Sequence, residues 1–248
     1  NGNANMLFVD GGNNRVGVGT NIPSVEFEIA DSNSDCEMTI GSWADNVNTK
    51  SALNFVKSRT ATIGTGAATA TNENIGEILA YGYDTGNTAR TASQILFMGD
   101  AAPDGDAVPG KILFKTSNAS ALQTALTIDD GQIATFSASV TAKTYINGES
   151  GNVTLDFAVN QNFVLTLSGN ITLINPTTEQ VGQSGMIVII QDGTGSRTLA
   201  VGDQYFGAGG SVPTISTAAN SIDVIPYFVQ ATGKILLGAA QLAFADAS

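Results

Sequence analysis

Apolar residues in this chain come in runs of three to six, closed by Gly, Asn, Asp or Thr. No stretch repeats them at the 3.6-residue spacing of an amphipathic helix, so the pattern predicts an all-β fold with no helix longer than about two turns. In the first half the runs place strands at residues 25–29, 37–41, 52–56, 75–81, 94–98 and 111–116. Small, polar or turn-forming stretches separate several of them, among them TATIGTGAATATNEN (60–74) and GDAAPDGDAVPG (99–110). Short strands at this spacing predict antiparallel β-sandwich modules.

One phrase is written twice. Residues 6–20 read MLFVDGGNNRVGVGT and residues 125–136 read ALTIDDGQIATF. Each has an apolar run, an Asp-containing turn with glycine, and a second apolar run. Gly and Asn tolerate positive φ and Asp bonds its own backbone, so each phrase predicts a hairpin-like reversal. In the first copy Val16 and Val18 alternate with Gly17 and Gly19. At period two one face is valine and the other bare, which points to a bulge or to close approach by another backbone.

The second half has longer apolar runs. Residues 163–167 and 171–174 flank Ser168-Gly169-Asn170 and predict a hairpin. Residues 186–190 are continuously apolar, as in a strand buried on both faces. Residues 192–195 turn that strand toward 198–201, and residues 231–234 join 227–229 to 235–237 as a second hairpin. Pro226 lacks an amide hydrogen and predicts an edge or a bulge. The expected organisation is a junction hairpin at 1–30, a sandwich-like repeat domain at 31–136, a linker or narrow stalk at 137–144, and a C-terminal β domain at 145–248.

Charge narrows the partners. The 248 residues include 10 basic and 22 acidic side chains, a net charge of −12. That argues against a nucleic-acid partner, which needs clustered Lys and Arg, and against docking on anionic lipid. No apolar run approaches the ~20 residues of a membrane span, so no membrane insertion is expected. The chain opens NGNAN, without an initiator Met or a signal peptide, and reads as a C-terminal piece of something longer.

Catalytic chemistry finds little here. There is no His, which removes Ser-His-Asp catalysis and every His-ligated metal site. The lone Cys36 is expected to be a buried structural residue. Carboxylate pairs suited to glycoside hydrolysis are Asp104 with Asp106, Asp129 with Asp130, and Glu26 with Glu28; turn chemistry accounts for them better. Asp100, Asp104 and Asp106 lack the EF-hand spacing, so a plain acidic loop is expected. No catalytic residue, metal or cofactor is assigned. Exposed aromatics beside glycine remain as sugar platforms: Trp43 in GSWADN, and Tyr205 with Phe206 in GDQYFGAGG, where Gln204 adds a donor and an acceptor.

The phrase DGGNNRVGVGTNIPS resembles a motif of phage tail fibre and related virion fibre proteins. ALNFVKSR, NIGEILAYGYD, GKILFKTS and ALTIDDGQI are similar to the β-rich repeat domain of such fibres. NFVLTLSGNITLINP, GQSGMIVIIQDGTGSRTLAV and IDVIPYFVQATGKILLG resemble, in order, a domain that closes many of them. Val201 stands where that family pattern expects Trp. The resemblance implies a fibrous homotrimer with a C-terminal jelly-roll-like tip, located on the virion and extracellular. Its partners would be two further copies of itself, other virion proteins preceding this segment, and a host-surface saccharide or protein. It implies that Gly17 and Gly19 mark close approach between chains, and that Gln204, Tyr205, Phe206 and Trp43 contact the receptor. The expected role is structural and adhesive, not enzymatic. The alternatives are a tailspike-type glycosidase acting on surface polysaccharide and a cellular surface adhesin.

Overall fold

The computed structural model describes residues 6–31, 35–118 and 121–245. The chain forms two compact units, Asn1–Ser137 and Ala138–Ser248. Both are all-β. Among the described residues the only helical segment is one short turn at Ala208–Gly210.

Unit 1 opens with β1 (Phe8–Asp10), β2 (Arg15–Val18) and β3 (Phe27–Ile29), which form a three-stranded sheet. Strands β1 and β2 are the expected hairpin. The Asp10 carboxylate accepts from the Gly12 amide at 3.0 Å and from the Asn13 side chain at 2.8 Å, and Asn14 takes φ 56°. The second copy of the phrase does the same: Asp129 Oδ1 accepts from the Ile133 amide at 2.9 Å and Gln132 takes φ 62°.

A five-stranded antiparallel meander follows: β4 (Asn74–Tyr83), β5 (Ala89–Gly99), β6 (Gly110–Ser117), β7 (Leu122–Ile128) and β8 (Ala134–Phe136). Its register puts Ile78, Ile95, Phe114, Leu126 and Phe136 side by side, one from each strand. Phe97, Ile112 and Ile128 form a parallel row on the same face. Phe55 seats its ring over Gly76 and stacks on Phe97 at 5.8 Å, covering one end of that row. In the Ile78–Phe136 row both end residues are exposed, and Ile95, Phe114 and Leu126 between them are half-buried. Among the described residues of this unit, Leu96 at 5% exposure is the one buried Leu, Ile, Val, Met or aromatic side chain.

Residues 37–41 and 52–56 were expected to be strands and are not. Their composition suits a strand, but no neighbour supplies a ladder, and a strand without one cannot satisfy its backbone.

Unit 2 contains β9 (Thr144–Thr154), β10 (Asn162–Ile174), β11 (Ser184–Gln191), β12 (Leu199–Val201), β13 (Tyr205–Gly207), β14 (Ile222–Ala231), β15 (Lys234–Leu237) and β16 (Gln241–Phe244) in one mixed sheet. The expected hairpin at Ser168-Gly169-Asn170 is instead the middle of β10. Strand β9 runs parallel to both halves of it, with a register shift between Leu167 and Ile171. The first half pairs with β11 and the second with β12. The Gly-Asn signal therefore marks a bulge and not a reversal. The β14–β15 hairpin forms as expected. Pro226 lies where the β15 ladder has ended and the β16 ladder has not begun, and its carbonyl accepts from Gly238 at 2.8 Å.

Alternation sorts this sheet into two faces. Inward residues such as Phe163, Leu165, Ile187, Ile189, Ile225, Tyr227 and Ile235 make the core. Phe157 meets Phe163 and Tyr227 edge-on at 5.1 and 5.2 Å. Residues 186–190 were read as buried on both faces. Within this chain they bury only one, since Met186 is exposed and Val188 and Ile190 are half-buried.

Candidate functional site

The four aromatic and polar positions singled out from sequence meet different fates. Trp43 is 91% exposed. Its indole lies against Gly41, where a Cβ would stand 2.5 Å from the ring, so glycine lets the ring lie along the backbone. Tyr205 is 6% exposed and belongs to the core. It cannot offer a stacking face, which corrects the reading of it as an exposed platform. Gly207 beside it answers backbone crowding, since a Cβ there would overlap the Ser211 carbonyl, whereas Gly209 and Gly210 take φ 68° and 76° in open space. Burial, and secondarily the Glu179 carboxylate, raise the Tyr205 pKa well above the ordinary phenol value. Its hydroxyl has no hydrogen-bond partner among the described residues.

Gln204 is held from both sides. Its amide donates to Asn175 Oδ1 at 3.2 Å and its carbonyl accepts from Ile235 at 2.8 Å. Its side-chain oxygen is buried without a partner and is not presented to solvent. Phe206 is the exposed member of the trio at 43%, and the Lys234 ammonium lies 5.3 Å from its ring centroid. An aromatic that already holds a cation is partly occupied as a platform. Trp43 lies in unit 1 and the other three in unit 2.

The glycines assigned to inter-chain approach have duties within the chain. A Cβ on Gly17 would stand 2.3 Å from the Thr20 carbonyl oxygen, and Gly19 takes φ 78°. The bare face of Val-Gly-Val-Gly is therefore filled by the turn that follows it.

The carboxylates are engaged in local structure. The Asp130 amide, and then the Lys111 ammonium at 3.0 Å, hold the Asp100 carboxyl below its usual range. Amide donors from Asp106 and Ala107 do the same for Asp104. Glu28 accepts from the Ser24 amide and hydroxyl at 2.6 and 2.7 Å. Cys36, expected to be buried, is exposed, and its thiol donates to the Ile29 carbonyl at 3.3 Å.

Two residues that sequence reasoning passed over organise the loops of unit 2. Gln191 is buried; its Nε2 donates to the carbonyls of Arg197 and Ser216 at 2.9 and 2.8 Å, and its Oε1 accepts from the Arg197 amide at 2.9 Å. Asp223, equally buried, accepts from the Ser216 amide, the Ser216 hydroxyl at 2.7 Å and the Ala243 amide at 2.8 Å. Ser216 is thus pinned twice, and with it a connection that has no strand of its own. The neighbouring turn adds an Arg197–Asp192 pair at 2.8 Å, which lowers the Asp192 pKa. The signal was a single polar residue within an apolar run, in IVIIQD and in SIDVIP. These two side chains build a rigid loop platform at one end of the sheet, which is where recognition loops are usually carried.

Two rows on the outward face of the same sheet are apolar. Ile146, Val164, Val188 and Val224 align across β9, β10, β11 and β14. Phe206, Leu236 and Phe228 align across β13, β15 and β14.

Comparison with known proteins places the unit. No curated protein matches the chain. Among solved structures it is similar to the carboxy-terminal domain of the bacteriophage T5 L-shaped tail fibre, at 10% identity and a TM-score of 0.32, over 86% of this chain and 92% of that one. Residues 146–234 match the family described as "Putative phage tail fibre C-terminal domain". That segment runs from β9 to β15, so within the second unit this chain is similar to the phage tail fibre C-terminal domains, as the sequence resemblance implied.

Proposed function

We propose that this virion fibre component works as a homotrimer that attaches the particle to its host's surface, with the C-terminal unit distal. The observation that carries the reading is the open apolar row Ile78–Ile95–Phe114–Leu126–Phe136 in unit 1. A sheet with an apolar face must bury it against a second layer. Within this chain Phe55 covers only one end of that face, and Leu96 is the unit's one buried Leu, Ile, Val, Met or aromatic side chain among the described residues. The missing layer must be present whenever the protein folds. A further copy of the same chain meets that requirement, and three copies turned about one axis bring the same row inward from each.

The role is adhesive and not catalytic. Three of the carboxylates weighed for hydrolysis are held by local donors: Asp104 by the Asp106 and Ala107 amides, Asp129 by the Ile133 amide and Glu28 by Ser24. Attachment acts through multivalency. Three weak contacts held in one particle gain avidity through effective concentration. Trp43, open and laid against Gly41, has the chemistry to stack on a saccharide ring.

The test is host-cell adsorption by Trp43→Ala, with oligomer mass checked first. Loss of a central aromatic should cost roughly 2 kcal/mol per site. Unchanged adsorption by an assembled variant refutes the assignment of Trp43, and failure of the parent protein to bind or block adsorption refutes attachment itself.

A further inference from the structure

We infer that unit 1 staples itself: the Lys111 side-chain nitrogen attacks the Asn72 carboxamide, with Asp100 as proton carrier, and leaves an amide bond between the two side chains. The inference concerns a single chain and does not depend on its oligomeric state.

Backbone ties bring the three groups together. Lys111 stands on β6 opposite Met98 of β5. Asp100 directly follows β5, and its amide donates to the Pro109 carbonyl at 2.9 Å. Asn72 lies in the turn before β4, takes φ 60°, and donates its amide to the Gly99 carbonyl at 2.9 Å. Gly99 permits that approach, because a Cβ there would stand 2.5 Å from the Ala70 carbonyl oxygen. Lys111 Nζ thereby lies 2.7 Å from Asn72 Oδ1 and 3.0 Å from Asp100 Oδ1. The carboxamide carbon is one C=O bond of about 1.23 Å behind that oxygen, so Nζ is within about 3.9 Å of it, near the ~3–3.5 Å of an attacking pair.

The step balances without an outside reagent. Asp100 takes a proton from the Lys111 ammonium, and the freed amine forms the Nζ–Cγ bond. The Cγ–Nδ2 bond then breaks. Nζ gives up two protons and Nδ2 receives both, so ammonium leaves and Asp100 ends as the carboxylate it began as. Asp100 is held for this role, with Oδ1 on Nζ and Oδ2 accepting from the Asp130 amide at 3.2 Å. The Lys111 and Asp100 side chains are 17% and 21% exposed, which shields the transfer from water, whereas Asn72 is exposed and gives the leaving group a way out. The ion pair favours the charged amine, so the neutral nucleophile is scarce and the bond forms slowly. It needs to form only once, and fixed geometry supplies a large effective concentration.

The link answers a weakness of this unit. Its core is thin, and Cys36 is the chain's one Cys, so no disulfide can form within the chain. An amide between Lys111 and Asn72 needs no thiol. It joins positions 39 residues apart and ties the turn that leads into edge strand β4 to β6, across β5. A cross-link of that span stabilises chiefly by restricting the unfolded chain.

The experiment is intact-mass and peptide mass spectrometry of the folded 248-residue chain, incubated at about pH 9, roughly one unit below the ordinary lysine pKa of ~10.4. The parent should be lighter than its sequence by one ammonia, and its digest should contain one peptide in which Asn72 and Lys111 are joined. Lys111→Arg keeps the pair with Asp100, and Asn72→Gly keeps the positive φ; both should show the full sequence mass. Asp100→Asn should link about 100-fold more slowly, the usual loss on removing a proton carrier. Full mass in the parent overturns the inference. So does a loss of ammonia that persists in Asn72→Gly, since an asparagine imide elsewhere then accounts for it. An Asp100→Asn variant that links at the parent's rate overturns the role given to Asp100.

Discussion

Asp223→Ala should release the C-terminal strand without unfolding the rest of unit 2. Strand β16 is tied to β14 by only two register pairs, Ile222 with Phe244 and Val224 with Gln241. The stronger tie is the buried Asp223 carboxylate, which accepts from Ala243 on β16 and from Ser216 on the facing loop. A hydrogen bond to a charged group contributes about 1.5–3 kcal/mol net. The three bonds do not simply add. Truncation also relieves the desolvation of the carboxylate, the Ser216 hydroxyl can turn to another acceptor, and the Ala243 amide can reach water. The Ser216 amide is left with the full penalty of an unmet buried donor. The balance is a loss of about 3 kcal/mol, concentrated where the bonds end. Hydrogen exchange read by mass spectrometry should then show residues 241–245 exchanging about 100-fold faster, since every 1.4 kcal/mol is a factor of ten. Core amides of β10 and β11 should change far less. Asp223→Asn, which keeps an acceptor, should fall between. Unchanged exchange at Ala243 would refute the idea that this carboxylate holds the strand.

Two crowded glycines and a buried phenol give three further outcomes. Gly17→Val should disorder the β1–β2 hairpin, because its Cβ would stand 2.3 Å from the Thr20 carbonyl; limited proteolysis near residues 15–20 should reveal it, and an unaltered digest would contradict the intrachain contact. Gly195→Ala should lower the urea midpoint by about 2 kcal/mol equivalent, since Gly195 takes φ +74° and a Cβ would lie 2.6 Å from the Thr217 carbonyl. Tyr205→Phe should leave stability unchanged or raise it by about 1 kcal/mol, as it removes a buried hydroxyl with no partner. That variant also bears on pH: burial raises the folded pKa of Tyr205, and pushes that of Tyr227 up to about 12, above the unfolded value of 10.0. Stability from these protons is complete below pH 10.0 and is lost as pH rises through the folded values, so the urea midpoint should fall above pH 10.0, less steeply in Tyr205→Phe.

Much of the strand content was legible because period two and Gly/Asn/Asp punctuation act locally. The Asp10 and Asp129 turns, the β14–β15 hairpin and the Pro226 gap all obey that local code. Partnering was not legible. Ser168-Gly169-Asn170 carries a turn signal, yet β9 runs parallel along the whole of β10 and the glycine makes a bulge. Residues 52–56 read as a strand and lack a ladder. The site suffered in the same way. Glycine beside Tyr205 suggested exposure, while its physical cause is the crowding of Gly207 against Ser211. Whether an aromatic is a platform or a core plug depends on long-range packing, which a run of seven residues does not encode. Gln191 and Asp223 did leave a trace, as isolated polar residues inside apolar runs, and that signal is worth reading as a buried loop anchor.

In the proposed homotrimer this chain completes its fold only as one of three copies. Sedimentation equilibrium of this 248-residue chain at micromolar concentration decides between the two states, trimer and single chain. A homotrimer gives a single species of three times the 25.4 kDa chain mass, undiminished by tenfold dilution. A well-folded β protein sedimenting at 25.4 kDa would contradict it, because the open row from Ile78 to Phe136 would then be stable in water.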